Sequence, residues 1–259
     1  MAALLEVDKL ARQFGGLRAV DDLSFNVEQG EILGIIGPNG AGKTTAVNLI
    51  SGVIAPTSGT ITFGGEAITG LQPHVLVEKG LVRTFQATTV WTGCTVRENA
   101  LRGAFRHLYP GFVATFFDTT RAKEMRAKAD IVVDDLLASL SLTGVADQIA
   151  DSLPYGYQKT LGMVIALAAE PRLVMLDEPA AGLSAEEADH VRDTILKVRQ
   201  RGITVVVIDH NMRFIKGLCD RVLVIHQGRQ LAVGTPSDVL SNPRVIEAYL
   251  GTYDAAPAS

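Results

Sequence analysis

Ile32-Leu33-Gly34-Ile35-Ile36-Gly37-Pro38-Asn39-Gly40-Ala41-Gly42-Lys43-Thr44-Thr45 decides how the rest of the chain is read. The apolar run at 32–36 reads as a buried strand, and Ala46-Val47-Asn48-Leu49-Ile50 reads as a helix. Strand, glycine-rich turn and helix together form the context a phosphate-binding loop requires. Gly37 and Gly42 allow the backbone to curl so that successive N–H groups of the loop that runs from Pro38, which itself has none, through Asn39, Gly40 and Ala41 to Lys43, Thr44 and Thr45 point inward at phosphate oxygens. The positive end of the helix starting near Lys43 adds to that anion site. Lys43 would reach the β- and γ-phosphates, and the Thr44 hydroxyl would be a Mg²⁺ ligand.

A chain of 259 residues, 47% hydrophobic, can bury a full core. Its 24 basic and 28 acidic residues give a net charge of −4, which argues against a broad nucleic-acid face. The two cysteines, Cys94 and Cys219, have no neighbouring Cys or His at metal-binding spacing, a usage that fits a reducing cytosol. No apolar run approaches the ~18 residues of a spanning helix, and the N-terminus has no signal pattern. A membrane role would therefore come through a partner.

Working outward, residues 4–9 and 23–28 alternate as half-solvated strands. Phe14, before Gly15-Gly16, is either a core aromatic or a ring on which an adenine base stacks. Residues 59–65 and 81–85 suggest two further strands. Met125, Ala129, Val132, Val133, Leu136, Leu137 and Leu140 recur at helical spacing. Ahead of them Phe105, Tyr109, Phe112, Phe116 and Phe117 either pack within a helical lobe or form a docking patch. Residues 173–176 and 203–208 read as buried strands, and Ser184-Ala185-Glu186-Glu187 as a capping box. Gln227-Gly228 signals a hairpin between residues 222–226 and 229–233. Thr235-Pro236 and Asn242-Pro243 open short helices, the second expected to turn Val245, Ile246, Tyr249 and Leu250 inward. Residues 255–259 look like a frayed tail.

Several polar residues follow the apolar runs. Asp177 ends one strand and can hold Mg²⁺, directly or through water. Glu178 would aim at the attacking water and polarise it or take its proton. His210 would bond the γ-phosphate and orient Glu178, while Gln86 would bring an amide to the metal or water.

With these residues in place the chain resembles an ABC transporter nucleotide-binding subunit, from about residue 4 to residue 251. Residues 37–44 are similar to Walker A, Gln86 to the Q-loop, residues 173–178 to Walker B and its glutamate. Ala181-Gly182-Leu183-Ser184 resembles the D-loop, His210 the H-loop and Phe14 the adenine-stacking A-loop. The signature loop falls at Leu153-Pro154-Tyr155-Gly156-Tyr157-Gln158. Its Pro154-Tyr155-Gly156 resembles the branched-chain amino acid importer branch, as do residues 217–221 and 243–251. Tyr157 departs even from that branch, and Gly162 and Ile165 stand where it usually carries Glu and Arg.

The resemblance implies an α/β fold, a P-loop NTPase (RecA-like) core with an N-terminal antiparallel β subdomain and an inserted α-helical subdomain. The β subdomain and core would take residues 1–86 and 159–259, and the helical subdomain about 87–158. It implies ATP and Mg²⁺ as ligands, and a head-to-tail dimer with an identical or paralogous ATPase. In that dimer Pro154, Tyr155, Gly156 and Tyr157 of one subunit complete the other's ATP site. Further implied partners are transmembrane permease subunits and a periplasmic or extracellular solute-binding protein, with the chain peripheral on the cytoplasmic face of the membrane. The implied activity is ATP hydrolysis driving uptake of branched-chain or hydrophobic amino acids. Alternative cargoes are another small solute such as urea or an organic acid. Two rivals from other classes are a soluble ABC ATPase acting on nucleic acid or ribosomes and a P-loop kinase. The first lacks its usual coiled coils or basic surface here, and the second would need neither the signature loop nor the Asp-Glu-Pro pairing.

Overall fold

The computed structural model describes residues 3–84, 90–104 and 120–250. Two compact units divide the chain: Met1–Leu76 with Thr204–Ser259, and Val77–Ile203.

In the first unit, β1 (Ala3–Phe14) and β2 (Leu17–Glu28) form a long antiparallel hairpin, and β1 also pairs with β4 (Ser58–Phe63). With β5 (Glu66–Ala67) they make a four-stranded antiparallel sheet in the order β2-β1-β4-β5. A second sheet is built on β3 (Ile32–Ile36), which pairs in parallel with both β8 (Thr204–Ile208) and β9 (Arg221–His226). Every residue of β3 and β8 is buried, as their near-continuous apolar runs, Ile32–Ile36 and Val205–Ile208, require of a sheet covered on both faces. β10 (Arg229–Gly234) returns antiparallel along β9 and is largely exposed. Gln227 (φ 49°) and Gly228 (φ 78°) make the turn between them, the two positive φ values that a type I′ hairpin needs. Helix α1 (Lys43–Ile50) follows β3, and α2 (Pro73–Lys79) carries the chain toward the second unit.

The second unit holds the parallel pair β6 (Leu81–Arg83) and β7 (Leu173–Asp177). Among its described residues are the α-helices α3 (Val96–Gly103), α4 (Thr120–Ser139), α5 (Tyr155–Leu167) and α6 (Ala185–Gln200). Thr95 and Ser184 open α3 and α6 with reciprocal capping boxes to Glu98 and Glu187. Ala129, Val133, Leu136 and Leu137 bury the inward stripe of α4, and Leu140 continues it just past the helix. Arg97 of α3 bonds Asp130 at 2.8 Å and also Asp134, joining α3 to α4.

The first unit closes with α7 (Met212–Leu218), α8 (Pro236–Leu240) and α9 (Pro243–Leu250). Here one expectation is corrected. Val245 is buried, but Ile246 is 44% exposed. Val245 and Tyr249 are one turn apart and share a face, whereas Ile246 lies about 100° round the helix from Val245. The aromatic cluster at residues 105–117 and the tail at 255–259 lie outside the described residues, as does Gln86.

Candidate active site

In the first unit, β3 ends at Ile36 and the loop 37–42 delivers the chain into α1. Gly42, at φ 101°, is the N-cap of α1 and offers no side chain to its free N–H groups. A Cβ at Gly42 would lie 2.4 Å from the Ala19 carbonyl oxygen, so the backbone there touches β2 directly. The first turn of α1 carries no acidic residue, which leaves its N-terminal field unopposed for an anion. Asn39, Gly40 and Thr44 are exposed, Pro38, Gly42, Lys43 and Thr45 half-buried, Gly37 and Ala41 buried. The Lys43 ammonium donates to the Gly37 carbonyl at 2.6 Å and to the Pro38 carbonyl at 2.9 Å, which folds it along its own loop. The Gly228 N–H donates to the Ala41 carbonyl at 2.9 Å, so the β9–β10 turn braces the loop from outside.

Phe14 ends β1 and is 45% exposed, so it is not a core ring. The Arg12 guanidinium stands 4.7 Å from the ring centroid. His210 follows β8 and is exposed, its Nδ1 3.9 Å from Asp209 Oδ1. Asp209 is buried and accepts from the Asn211 N–H at 2.9 Å. Asn211 in turn accepts from the Phe214 N–H and caps α7. Two consecutive side-chain-to-backbone bonds thus fix the segment that carries His210.

In the second unit, β7 ends at Asp177, and Glu178 takes a positive φ of 49°. That conformation costs a non-glycine residue about 1–3 kcal/mol and persists only where its surroundings impose it. Here the Glu178 carbonyl accepts from the Ala181 N–H at 3.2 Å and from the Lys159 ammonium at 3.3 Å. Lys159 is buried, and its ammonium lies 5.3 Å from the centre of the Tyr155 ring. A Cβ on Gly182, the glycine of the Ala181-Gly182-Leu183-Ser184 turn, would sit 3.4 Å from that ring. Tyr155, Lys159, Glu178 and Gly182 therefore meet within one small region. Pro154 is the N-cap of α5, with no side-chain cap and no acidic residue in the following turn. Tyr155 and Tyr157 are each about two-fifths exposed, at 39% and 43%.

Sequence reasoning missed two cations. One is Lys159, which reads as an ordinary helix lysine. The other is Arg83, at the end of β6, whose Nη2 bonds Asp177 Oδ2 at 2.7 Å with both side chains under a tenth exposed. A basic residue closing a short apolar strand was the available signal. The donor types fit the ligands that the loop calls for. Curled glycines and an unopposed helix N-terminus suit phosphate. A threonine hydroxyl and a carboxylate are the hard oxygens Mg²⁺ selects.

A buried parallel strand running through a glycine loop into a helix, with a second parallel strand ending in Asp-Glu, defines a P-loop nucleotide-binding ATPase domain. A family model described as ABC transporter matches residues 20–181, and one described as Branched-chain amino acid ATP-binding cassette transporter matches residues 229–255. The chain is 41% identical over 249 residues to the high-affinity branched-chain amino acid transport ATP-binding protein BraF of Pseudomonas aeruginosa, covering 96% of this chain and 98% of that one. It is 37% identical to LivG of Salmonella typhimurium over the same shares. Among solved structures, the ADP conformation of MJ1267, an ATP-binding cassette of an ABC transporter, superposes with a TM-score of 0.83 at 29% identity, over 97% of this chain and 100% of that one. The chain belongs to the ABC transporter family of ATP-binding cassettes, in its branched-chain amino acid branch.

Proposed function

We propose that this chain is the ATP-hydrolysing subunit of an importer for branched-chain amino acids. The observation that carries the reading is its likeness to BraF, which extends over nearly the whole of both chains. The loop at 37–45 supplies the anion site that such an activity needs. Lys43 would leave the Gly37 and Pro38 carbonyls for the β- and γ-phosphates, a short swing for a flexible four-carbon stem. Phe14, half-exposed at the end of its strand, would stack on the adenine.

Thr44 and Asp177 would hold Mg²⁺, which when bound draws charge from the phosphate oxygens. Glu178 would accept a proton from the attacking water or polarise it, from a backbone held rigid by Lys159 and Ala181. His210 would donate to the γ-phosphate, and Gln86 would reach the metal or water. Pro154, Tyr155, Gly156 and Tyr157 would meet the nucleotide of a second ATPase subunit, an identical or paralogous one. The uncapped start of α5 supports that role, since its free N–H groups suit an anion without a serine hydroxyl.

Among the described residues no helix is long and apolar enough to cross a membrane. By its likeness to transporter ATP-binding subunits, the chain would sit on the cytoplasmic face, bound to permease subunits that receive solute from a binding protein. Two measurements on the subunit co-expressed with neighbouring permease genes test it. Co-purification with Mg²⁺-dependent ATPase activity is expected, and an isolated chain that neither binds ATP nor associates with any permease would overturn it.

A further inference from the structure

Arg83 and Asp177 face each other at the carboxyl ends of neighbouring strands. In the parallel register Arg83 lies opposite Met175, and the Thr84 N–H donates to the Met175 carbonyl at 2.9 Å. Asp177 is two residues beyond Met175, hence on the same side of β7. The guanidinium Nη2 reaches Asp177 Oδ2 at 2.7 Å, with side-chain exposures of 8% and 9%. The pair forms part of the wall of a cavity of about 320 Å³ that Lys159 and Arg102 also line. A buried carboxylate needs a nearby cation, and this one has a guanidinium in hydrogen-bonding contact.

That arrangement bears on the metal role given to Asp177 above, on which the present inference rests. A carboxylate already bonded to a guanidinium presents little net charge to a divalent cation. Mg²⁺ must then either share Asp177 with Arg83 or displace it, and both weaken the metal's hold. We propose that Arg83 is a positioning residue for Asp177, fixing its rotamer and tempering its affinity for Mg²⁺, so that the carboxylate is neutralised in place before the metal arrives. Two consequences separate this role from ordinary packing. Removing Arg83 leaves a buried carboxylate that Mg²⁺ can compensate, so the variant gains more from the metal than the wild type does. Removing both charges abolishes the difference.

The test measures thermal melting and equilibrium ADP binding against Mg²⁺ concentration, for wild type, Arg83→Gln, Asp177→Asn and the double variant. Arg83→Gln is expected to melt lower in EDTA and to recover more on adding Mg²⁺ with ADP. Its half-saturating Mg²⁺ concentration should fall by roughly tenfold, the scale expected when an adjacent like charge is removed from a cation site. The double variant should melt above Arg83→Gln in EDTA, since no unpaired charge is left buried. If Arg83→Gln does not fold, Arg83→Lys serves in its place, with a smaller shift in the same direction because the planar fork is lost. Equal Mg²⁺ dependence in wild type and Arg83 variants, with Asp177→Asn shifted, would overturn the Arg83 role alone. Unchanged Mg²⁺ dependence in Asp177→Asn would overturn the metal role of Asp177, and this inference with it.

Discussion

Replacing Gly42 by alanine isolates the backbone geometry of the phosphate loop. At φ 101° an L-residue is strained, and a Cβ there would sit 2.4 Å from the Ala19 carbonyl oxygen. The left-handed conformation costs about 1–2 kcal/mol, and relieving the overlap by shifting backbone costs about another 1–2 kcal/mol. The loop would relax into a shape that no longer aims its N–H groups inward. About 3 kcal/mol against the competent shape lowers apparent affinity by roughly two orders of magnitude. Gly40 is the internal control: its φ is 77°, but a Cβ there meets nothing within 4 Å. Gly40→Ala should therefore lose only the conformational part, about 5- to 30-fold. Titration calorimetry with ADP and with pyrophosphate is the assay, and both ligands should weaken together because the defect lies under the phosphates. Gly42→Ala binding within threefold of wild type, or Gly40→Ala losing as much, would refute the reasoning.

Three further outcomes follow from the same geometry. Glu178→Gln should keep ATP binding while steady-state hydrolysis falls by roughly 10²-fold or more; full turnover in the purified variant would remove Glu178 from its role. Phe14→Ala should weaken ATP about fivefold, on a stacking term of about 1 kcal/mol, and leave tripolyphosphate unaffected. Equal losses for both would make Phe14 merely structural. Burial, ahead of the nearby carboxylates, pushes the Cys219 thiol from its ordinary 9.0 up to about 12. The unfolded thiol ionises first, so its contribution to stability is constant below about pH 9 and is lost as pH rises toward 12. Denaturant melts of Cys219→Ala should show a shallower alkaline fall than wild type, and parallel pH profiles would contradict this.

Much of this architecture was legible because burial writes itself into composition. β3, β7 and β8 are buried throughout, and apart from Asp177 at the end of β7 and Thr204 at the start of β8 they carry no polar side chain; the cap and turn residues at Ser184, Thr235 and Gln227-Gly228 do what their chemistry predicts. The hairpin of β1 and β2 was harder to read, and only its outer parts show clean alternation. Register shifts interrupt the pairing, with Lys9 at φ 47° and Asp22 at φ 53°, so inward and outward positions drift out of period 2. The α3 capping box at Thr95 and Glu98 was equally visible in type but precedes no long apolar stripe to draw attention to it. Of the site residues, the loop at 37–45 announces itself through glycine spacing. Arg83 and Lys159 do not, because their partners lie 94 and 19 residues away and only folding brings them together.

Uptake tests the central claim most directly. Deleting the gene, in a strain without a redundant transporter, should abolish accumulation of labelled leucine, isoleucine and valine. The wild-type chain should restore it, and the Glu178→Gln chain, present at the same level, should not. Unchanged uptake of all three in the deletion strain, or full rescue by Glu178→Gln, would contradict the account.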